Sequence, residues 1–428
     1  ASGIGVDPTG AAYVAGGTGS TDFPTSATAF KGSLTGGTDA FVTKFAPSGS
    51  ALLYSTYLGG SGRDAASGMA SDDLGNVYLT GGTGGGFSND FVTTAGAYDR
   101  TYAGADNGGD AYMAKIDTTM TGATSLVYST YLSAGPSGSS GARGTGIAIG
   151  PDGAVYVSGR IDGRGFPTTA GAFQETPGPG NIAGFVAKIR PDADDPSGGN
   201  GDPDDLVYGT YLSGDSVVND SRIAVDGSGS AYVTGATGEG FPTTSNAVQP
   251  SPVPSATHHL DNGFMAKLDP AGSSLLYSTY LSGAYPDFGR DVAVDSAGNA
   301  LVVGATVSSD FPITSDAIQS KLGGGLDVFM VKIDPTRSGS ASLLFSSFLG
   351  GNKADEPFGA AADKAGNLYL TGATDSPERG RIASSRPLPF PTTDGAFQTE
   401  KAGRFTCLQD DHRDKCTFDA FVAKVSGL

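Results

Sequence analysis

Two cysteines, Cys407 and Cys416, stand in a polar stretch that also carries Asp410, Asp411, His412 and Asp414. Paired thiols this close make a local disulfide, a bond that persists in an oxidising compartment. The zinc alternative needs two further ligands, which only His412 and the Asp residues supply. A second group lies between Arg190 and Asp205, where Asp192, Asp194, Asp195, Asp202, Asp204 and Asp205 crowd one insertion. Dense carboxylates repel one another unless a cation neutralises them. Ca²⁺, which takes roughly six to eight oxygen ligands, is the fitting ion, and Gly198, Gly199 and Gly201 let the chain wrap it. The competing reading, a solvated acidic loop, is the favoured one.

The recurrent charge is lysine. Lys44, Lys115, Lys188, Lys267, Lys332 and Lys424 each close a Phe/Tyr-x-x-Lys motif. Six ammonium groups in equivalent places suit an anion, or they suit pairing with carboxylates near the turns, such as Asp39, Asp110, Asp327 and Asp419. Recurrence in every copy favours the scaffold role. Asp7, Asp152, Asp226, Asp295 and Asp363 head short turns that lack the alternating oxygen ligands of a calcium loop, so they are read as turn residues. The glycine run from Gly81 to Gly86 is not followed by Lys-Ser/Thr and is not a phosphate loop. Histidine is limited to His258, His259 and His412, from which no catalytic triad or zinc-protease order can be assembled. No catalytic residue is assigned, and the chain is expected not to be an enzyme. Carboxylate pairs for glycoside chemistry stay open among 44 acidic residues. The absence of Trp removes the strongest sugar-stacking platform, which the 17 Tyr replace only in part.

These groups are positioned by a repeat. A turn followed by a strand recurs six times: DPTGAAYVAG around Tyr13, DDLGNVYLTG around Tyr78, PDGAVYVSG around Tyr156, DGSGSAYVTG around Tyr232, DSAGNALVVG around Leu301 and DKAGNLYLTG around Tyr369. A short apolar strand precedes each turn, so the pair reads as a hairpin. Downstream come a third strand of the FVAK type and, in five copies, a fourth of the YSTYLGG type. Between the second and third lies a segment such as FPTTAGAF, starting at Phe23, Phe91, Phe166, Phe241, Phe311 or Phe390. It is expected to supply a buried aromatic, a Pro-stiffened turn and one short helical turn. Four short antiparallel strands repeated in series describe an all-β propeller of six blades with the last incomplete. It forms one domain, with repeats near 1–64, 65–143, 144–222, 223–291, 292–355 and 356–428.

The motifs DxxGNxYxTG, DFPTT, DAFVAK and YSTYLGG together resemble the bacterial β-propeller repeat family called SBBP, over nearly the whole chain. That resemblance implies a propeller in exported or surface-attached bacterial proteins, used as one module among several, with no catalytic residues to carry over. The label suggests seven blades, against six copies here.

A net charge of −18 disfavours nucleic acid as a partner. No apolar run approaches the roughly 20 residues of a membrane span. The chain opens at Ala1 without Met or signal peptide, as a mature product or an excised segment does. After the sixth FVAK strand no fourth strand follows, which leaves Phe421, Val422, Ala423, Lys424 and Val425 as an edge for strand addition. The expectation is therefore a secreted or cell-surface structural and interaction module, serving adhesion, scaffolding or self-assembly with a protein partner or with itself as an oligomer or fibre. The alternatives are a carbohydrate-binding lectin and a polysaccharide lyase or hydrolase acting at the channel mouth.

Overall fold

The computed structural model of the protein describes residues 1–84, 90–103, 109–132, 141–163, 165–191, 202–215, 218–254, 261–376, 390–393, 396, 408–410, 413–415 and 419–427. The sequence repeat becomes six antiparallel sheets in series, the blades of a β-propeller. Blade one holds β1 (Gly3–Val6), β2 (Ala12–Thr18), β3 (Asp39–Phe45) and β4 (Leu52–Leu58). Blade two holds β5 (Arg63–Ser71), β6 (Asn76–Gly84), β7 (Asp110–Asp117) and β8 (Leu126–Tyr131). Blade three holds β9 (Ala142–Ile149), β10 (Val155–Asp162), β11 (Ile182–Ile189) and β12 (Leu206–Leu212). Blade four holds β13 (Val218–Val225), β14 (Ala231–Thr237), β15 (Asn262–Leu268) and β16 (Leu275–Leu281). Blade five holds β17 (Asp287–Val294), β18 (Ala300–Thr306), β19 (Asp327–Ile333) and β20 (Leu343–Leu349). Blade six has three strands, ordered β21 (Asp355–Ala362), β22 (Leu368–Thr374) and β25 (Asp419–Val425). A separate hairpin pairs β23 (Leu408–Asp410) with β24 (Arg413–Lys415).

The hairpin chemistry expected from the sequence holds at all six first turns. In each, the Gly that ends Asp-x-x-Gly or its equivalent takes a left-handed conformation, with φ of +86° at Gly10, +93° at Gly75, +77° at Gly153, +84° at Gly229, +82° at Gly298 and +78° at Gly366. A side chain there would be strained, which is why the position is glycine throughout.

The chain forms two compact units, one of Ala1–Ala231 with Leu268–Ser274 and the other of Tyr232–Lys267 with Leu275–Leu428. In the first unit, Tyr13, Val42 and Tyr54 of blade one meet Leu79, Ile116 and Tyr131 of blade two in one buried layer. Met113 and Tyr128 of blade two meet Ile147, Val157 and Ile189 of blade three in the next. In the second unit, Leu301, Met330 and Phe345 of blade five cover Leu368, Leu370 and Phe421 of blade six. Blade two is thus apolar on both faces, packed against blade one on one side and blade three on the other, the logic of a repeat protein.

The FPTT segments differ from expectation in one respect. Their aromatic ring does pack on the third strand, with Phe166 on Phe185 at 4.2 Å, Phe241 on Phe264 at 4.3 Å and Phe311 on Phe329 at 4.6 Å. After the ring the chain makes a single hydrogen-bonded turn, as from Ala317 N–H to Thr314 O, and not a helical turn. Its threonine backbone is drawn outward to the fourth strand instead, as in Thr314 N–H to Ser346 O at 3.2 Å. The short 3-10 turns among the described residues, Gly122–Ser125, Pro203–Asp205 and Gly339–Ser342, lie between third and fourth strands. They interlock blades: the Tyr54 and Tyr277 hydroxyls share hydrogen bonds with Ser125 at 2.8 Å and Ser342 at 2.7 Å.

Candidate interaction surface

The recurrent lysines are built into the scaffold, although not through the expected carboxylates. Register sets Tyr13 opposite Lys44, Tyr78 opposite Lys115, Tyr156 opposite Lys188 and Tyr369 opposite Lys424. Each ammonium lies over its tyrosine ring, from 4.7 Å at Lys44 to 5.5 Å at Lys115. Three of the recurrent lysines pair with the Asp of the first turn, Lys44–Asp7 at 3.4 Å, Lys188–Asp152 at 2.8 Å and Lys332–Asp295 at 3.0 Å. Asp39, Asp110, Asp327 and Asp419 precede their lysines by five positions on the same strand, a span of roughly 16 Å, and so cannot reach. The turn carboxylates are themselves tied down: Asp7 Oδ1 accepts from Thr9 N–H and Ala11 N–H, and Oδ2 from the Tyr13 hydroxyl. The Thr9 hydroxyl bond and these further donors hold the Asp7 carboxyl well below the usual range.

A second set of carboxylates has no counterpart among the residues singled out from sequence. Asp64, Asp287 and Asp355 open the first strands of blades two, five and six, and each is buried. Each accepts a backbone N–H from the small-residue turn leaving the preceding blade, Gly60, Gly283 and Gly351, all at 2.7 Å. The Asp287 carboxylate also takes the Thr306 hydroxyl and, at 3.1 Å, that of Ser308. Burial pushes Asp287 up to about 7 and Asp327 up to about 6, and raises Asp64 and Asp355. Raised carboxyls are a mark of acid chemistry elsewhere. Here the oxygens of Asp287 and Asp355 are spent on hydroxyls of their own blade, Thr306 and Ser308 or Thr374 and Ser376, and on the glycine N–H of the link from the preceding blade. Their sequence signal was present, as an Asp four residues after the first glycine of Gly-Ser-Gly-Arg-Asp, Gly-Ala-Tyr-Pro-Asp and Gly-Asn-Lys-Ala-Asp.

Of the candidate metal ligands, Asp192, Asp194 and Asp195 lie outside the described residues. Asp202 caps the following 3-10 turn by accepting Asp204 N–H at 2.9 Å, and Asp205, 3% exposed, accepts the Tyr128 hydroxyl at 2.7 Å. Among the described residues no group of three or more metal-ligating side chains converges. Cys407, Cys416 and the three histidines also fall outside. The neighbours of the cysteines, Leu408 and Lys415, face each other across the β23–β24 hairpin. Thiol titration of the unfolded, unreduced protein is expected to find no free thiol; two free thiols would refute the disulfide.

One cavity of about 600 Å³ opens between blades two and three, lined by Arg63, Arg143, Arg160, Asp162, Thr83 and glycine backbone. Ser67 Oγ fixes the Arg143 guanidinium at 2.8 and 3.0 Å. No aromatic ring lines it.

The outstanding feature is blade six. β25 pairs with β22 along Leu368↔Val425 to Thr374↔Asp419, and no strand among the described residues pairs its other side. In blades one, two, three and five the equivalent strand pairs on both sides, as β19 does with β18 and β20. Among the described residues β25, which carries Phe421 to Val425, is the last strand of its sheet. Its side chains alternate: Phe421 and Val425 are buried toward blade five, whereas Val422 is 79% exposed.

Residues 53–88 and 276–312 match the family model described as the SBBP beta-propeller repeat. No curated protein matches the chain. Similar solved structures include a polysaccharide lyase of family PL25, an ulvan lyase, at 8% identity and TM-score 0.38, covering 86% of this chain and 78% of that one. The endosialidase of phage phi92 aligns at 10% identity and TM-score 0.39, over 94% of this chain and 68% of its own. A luciferin-regenerating enzyme aligns at 10% identity and TM-score 0.35, over 86% and 82%. No helix among the described residues is long and apolar enough to cross a membrane.

Proposed function

We propose that this propeller is a non-catalytic structural and interaction module of the cell exterior, which engages protein by adding a strand at the open edge of blade six. The observation that supports it is the unpaired side of β25. A strand edge offers a row of backbone donors and acceptors, and the side-chain pattern of the incoming strand supplies selectivity. The fourth strands of the other blades show what fits: Leu/Val-Tyr/Phe-Ser/Gly-Thr/Ser-Tyr/Phe-Leu, with both rings buried, as at Tyr277 and Tyr280. Lys44, Lys188 and Lys332, recurrent charges that could have served a ligand, are occupied with turn aspartates.

A fluorescent peptide carrying residues 275–283 is expected to bind the protein saturably, read by anisotropy, and the same peptide with Pro in place of Thr279 to lose binding through its missing N–H. Equal binding of both peptides, or none at millimolar protein, would overturn the reading. A second reading, binding of an anionic saccharide, draws on the arginine cavity, because three guanidinium groups in a protein of net charge −18 are suited to carboxylate or sulfate. Retention on a sulfated polysaccharide matrix that disappears in Arg63→Ala would favour it; elution with the void volume would dismiss it.

A further inference from the structure

We infer that Lys31 and Asp39 of blade one condense with loss of water, so that the folded protein carries an isopeptide cross-link between two of its own side chains. The inference is independent of the strand-edge reading. Lys31 lies in the segment between β2 and β3, and Asp39 opens β3. The Lys31 ammonium donates to Asp39 Oδ2 at 2.9 Å, to Gly59 O at 2.5 Å and to the Thr35 hydroxyl. The Asp39 side chain is fully buried and that of Lys31 is 16% exposed. Opposite charges taken out of water are costly to keep, and a proton passed between them leaves an amine beside a carboxylic acid. A comparable pair lacks the next requirement. Asp295, 3.0 Å from Lys332, has both oxygens filled, Oδ1 by the Ala297 and Asn299 N–H groups and Oδ2 by the Asn299 side chain as well as the lysine. Asp39 Oδ1, by contrast, is buried and accepts no hydrogen bond among the described residues, so nothing holds it against leaving.

Asp64 supplies the proton relay. A Cβ on Gly59 would stand 2.7 Å from Asp64 Oδ2 and 2.8 Å from Asp39 Oδ1, so the two oxygens border one small space that only glycine leaves open. Across it a proton passes through a single water. Burial raises the Asp64 carboxyl, with the Asp39 charge adding to the rise and the Gly60 N–H opposing it, which suits a group that must both hold and give a proton. In the condensation the Lys31 nitrogen gives up a proton and attacks Asp39 Cγ. The Nζ–Cγ bond forms, the nitrogen loses a second proton, and the Cγ–Oδ1 bond breaks. Both protons, carried by Asp64, leave on Oδ1 as water. One ammonium and one carboxylate thus become one amide and one water, with no oxidant or co-reactant. Fixed proximity replaces the encounter that free groups need, and the exclusion of water opposes hydrolysis. Blade five is the internal control. Asp327 and Asp355 hold the places of the two acids there, but Gln319 stands where Lys31 does and offers no amine.

The test is the intact mass of the full chain after reduction. The wild type is expected to weigh one water less than its sequence. Its tryptic digest should yield residues 1–44 as a single peptide, uncut after Lys31 and lighter by that water, with fragmentation placing the bond between Lys31 and Asp39. Lys31→Arg and Asp64→Asn, each with unchanged circular dichroism, should have the full sequence mass. A wild type at full sequence mass overturns the inference, and this result decides even where a variant fails to fold. So does a water loss that maps elsewhere, as to a cyclised Asp-Gly bond at Asp152-Gly153. A folded Asp64→Asn chain that still lacks the water overturns the role given to Asp64.

Discussion

Gly304→Ala is expected to cost the second unit at least roughly 3 kcal/mol, while Gly325→Ala in the same blade changes stability by less than about 0.5 kcal/mol. A Cβ on Gly304 would stand 2.2 Å from Phe288 O and 2.2 Å from Phe329 Cζ. Neither neighbour can retreat. Phe288 O is backbone at the bulge where β17 shifts register against β18, and the Phe329 ring is fully buried and stacked on Phe311. At Gly325 a Cβ meets nothing within 4 Å. The same crowding recurs at Gly159, between Arg143 O at 2.2 Å and Phe185, and at Gly372, between Glu356 O at 2.2 Å and Phe421. The glycine of the YxTG motif is therefore needed for its missing side chain. A loss of 3 kcal/mol lowers the melting midpoint by about 6–12 °C for a unit of this size. Thermal melts followed by circular dichroism check it, and a Gly304→Ala protein melting within about 1 °C of wild type would show that the aromatic pair can move.

Much of this was legible in the sequence because each repeat announces its strands by turn chemistry and by alternation. The Asp-x-x-Gly turn and the Phe/Tyr-x-x-Lys strand each depend on neighbours within a few residues or across one hairpin, so their roles are set by local spacing. What escaped depends on strand register within a blade or on the link from the preceding blade. The partner of Lys44 is Asp7, 37 positions earlier, and register alone could bring them together; the nearer Asp39 is attractive in sequence and unreachable along the strand. Asp287 likewise looked like one acid among 44, since nothing local shows that a turn of the previous blade will bury it. Phe421–Val425 was legible as a third strand of the FVAK type, and its pairing with β22 follows from that.

Lowering the pH from 8 to 5 is expected to stabilise the protein, against the common behaviour of an acidic chain whose carboxylates are salt-bridged. Asp287 has its carboxyl raised from the ordinary 3.8 to about 7 by burial, with Asp310 adding to the rise while Thr306, Gly283 and Ser308 oppose it. A group raised on folding contributes stability fully below its unfolded value, near pH 4, and loses that contribution as pH climbs through its folded value. For Asp287 the contribution is roughly 4 kcal/mol at its greatest, fading between about pH 4 and pH 7. Asp327, raised to about 6 by burial, with the Gly323 N–H opposing and the Asp355 charge adding to the rise, acts in the same direction over a narrower window. Below pH 4 the sign reverses. Asp363, lowered to about 2 first by the Asn367 side chain, and Asp334, lowered first by the Thr336 hydroxyl, contribute stability present above their ordinary value and lost as they take up protons. Stability should therefore peak between about pH 4 and pH 6. Asp287→Asn keeps an oxygen for the Gly283 N–H and removes the charge, so it should flatten the fall between pH 5 and 8 and leave the acid limb unchanged. Urea melts at one-unit pH steps read both limbs; a wild-type stability that rises from pH 5 to pH 8, or an Asp287→Asn profile parallel to it, would show that this buried carboxyl folds in its ionised form.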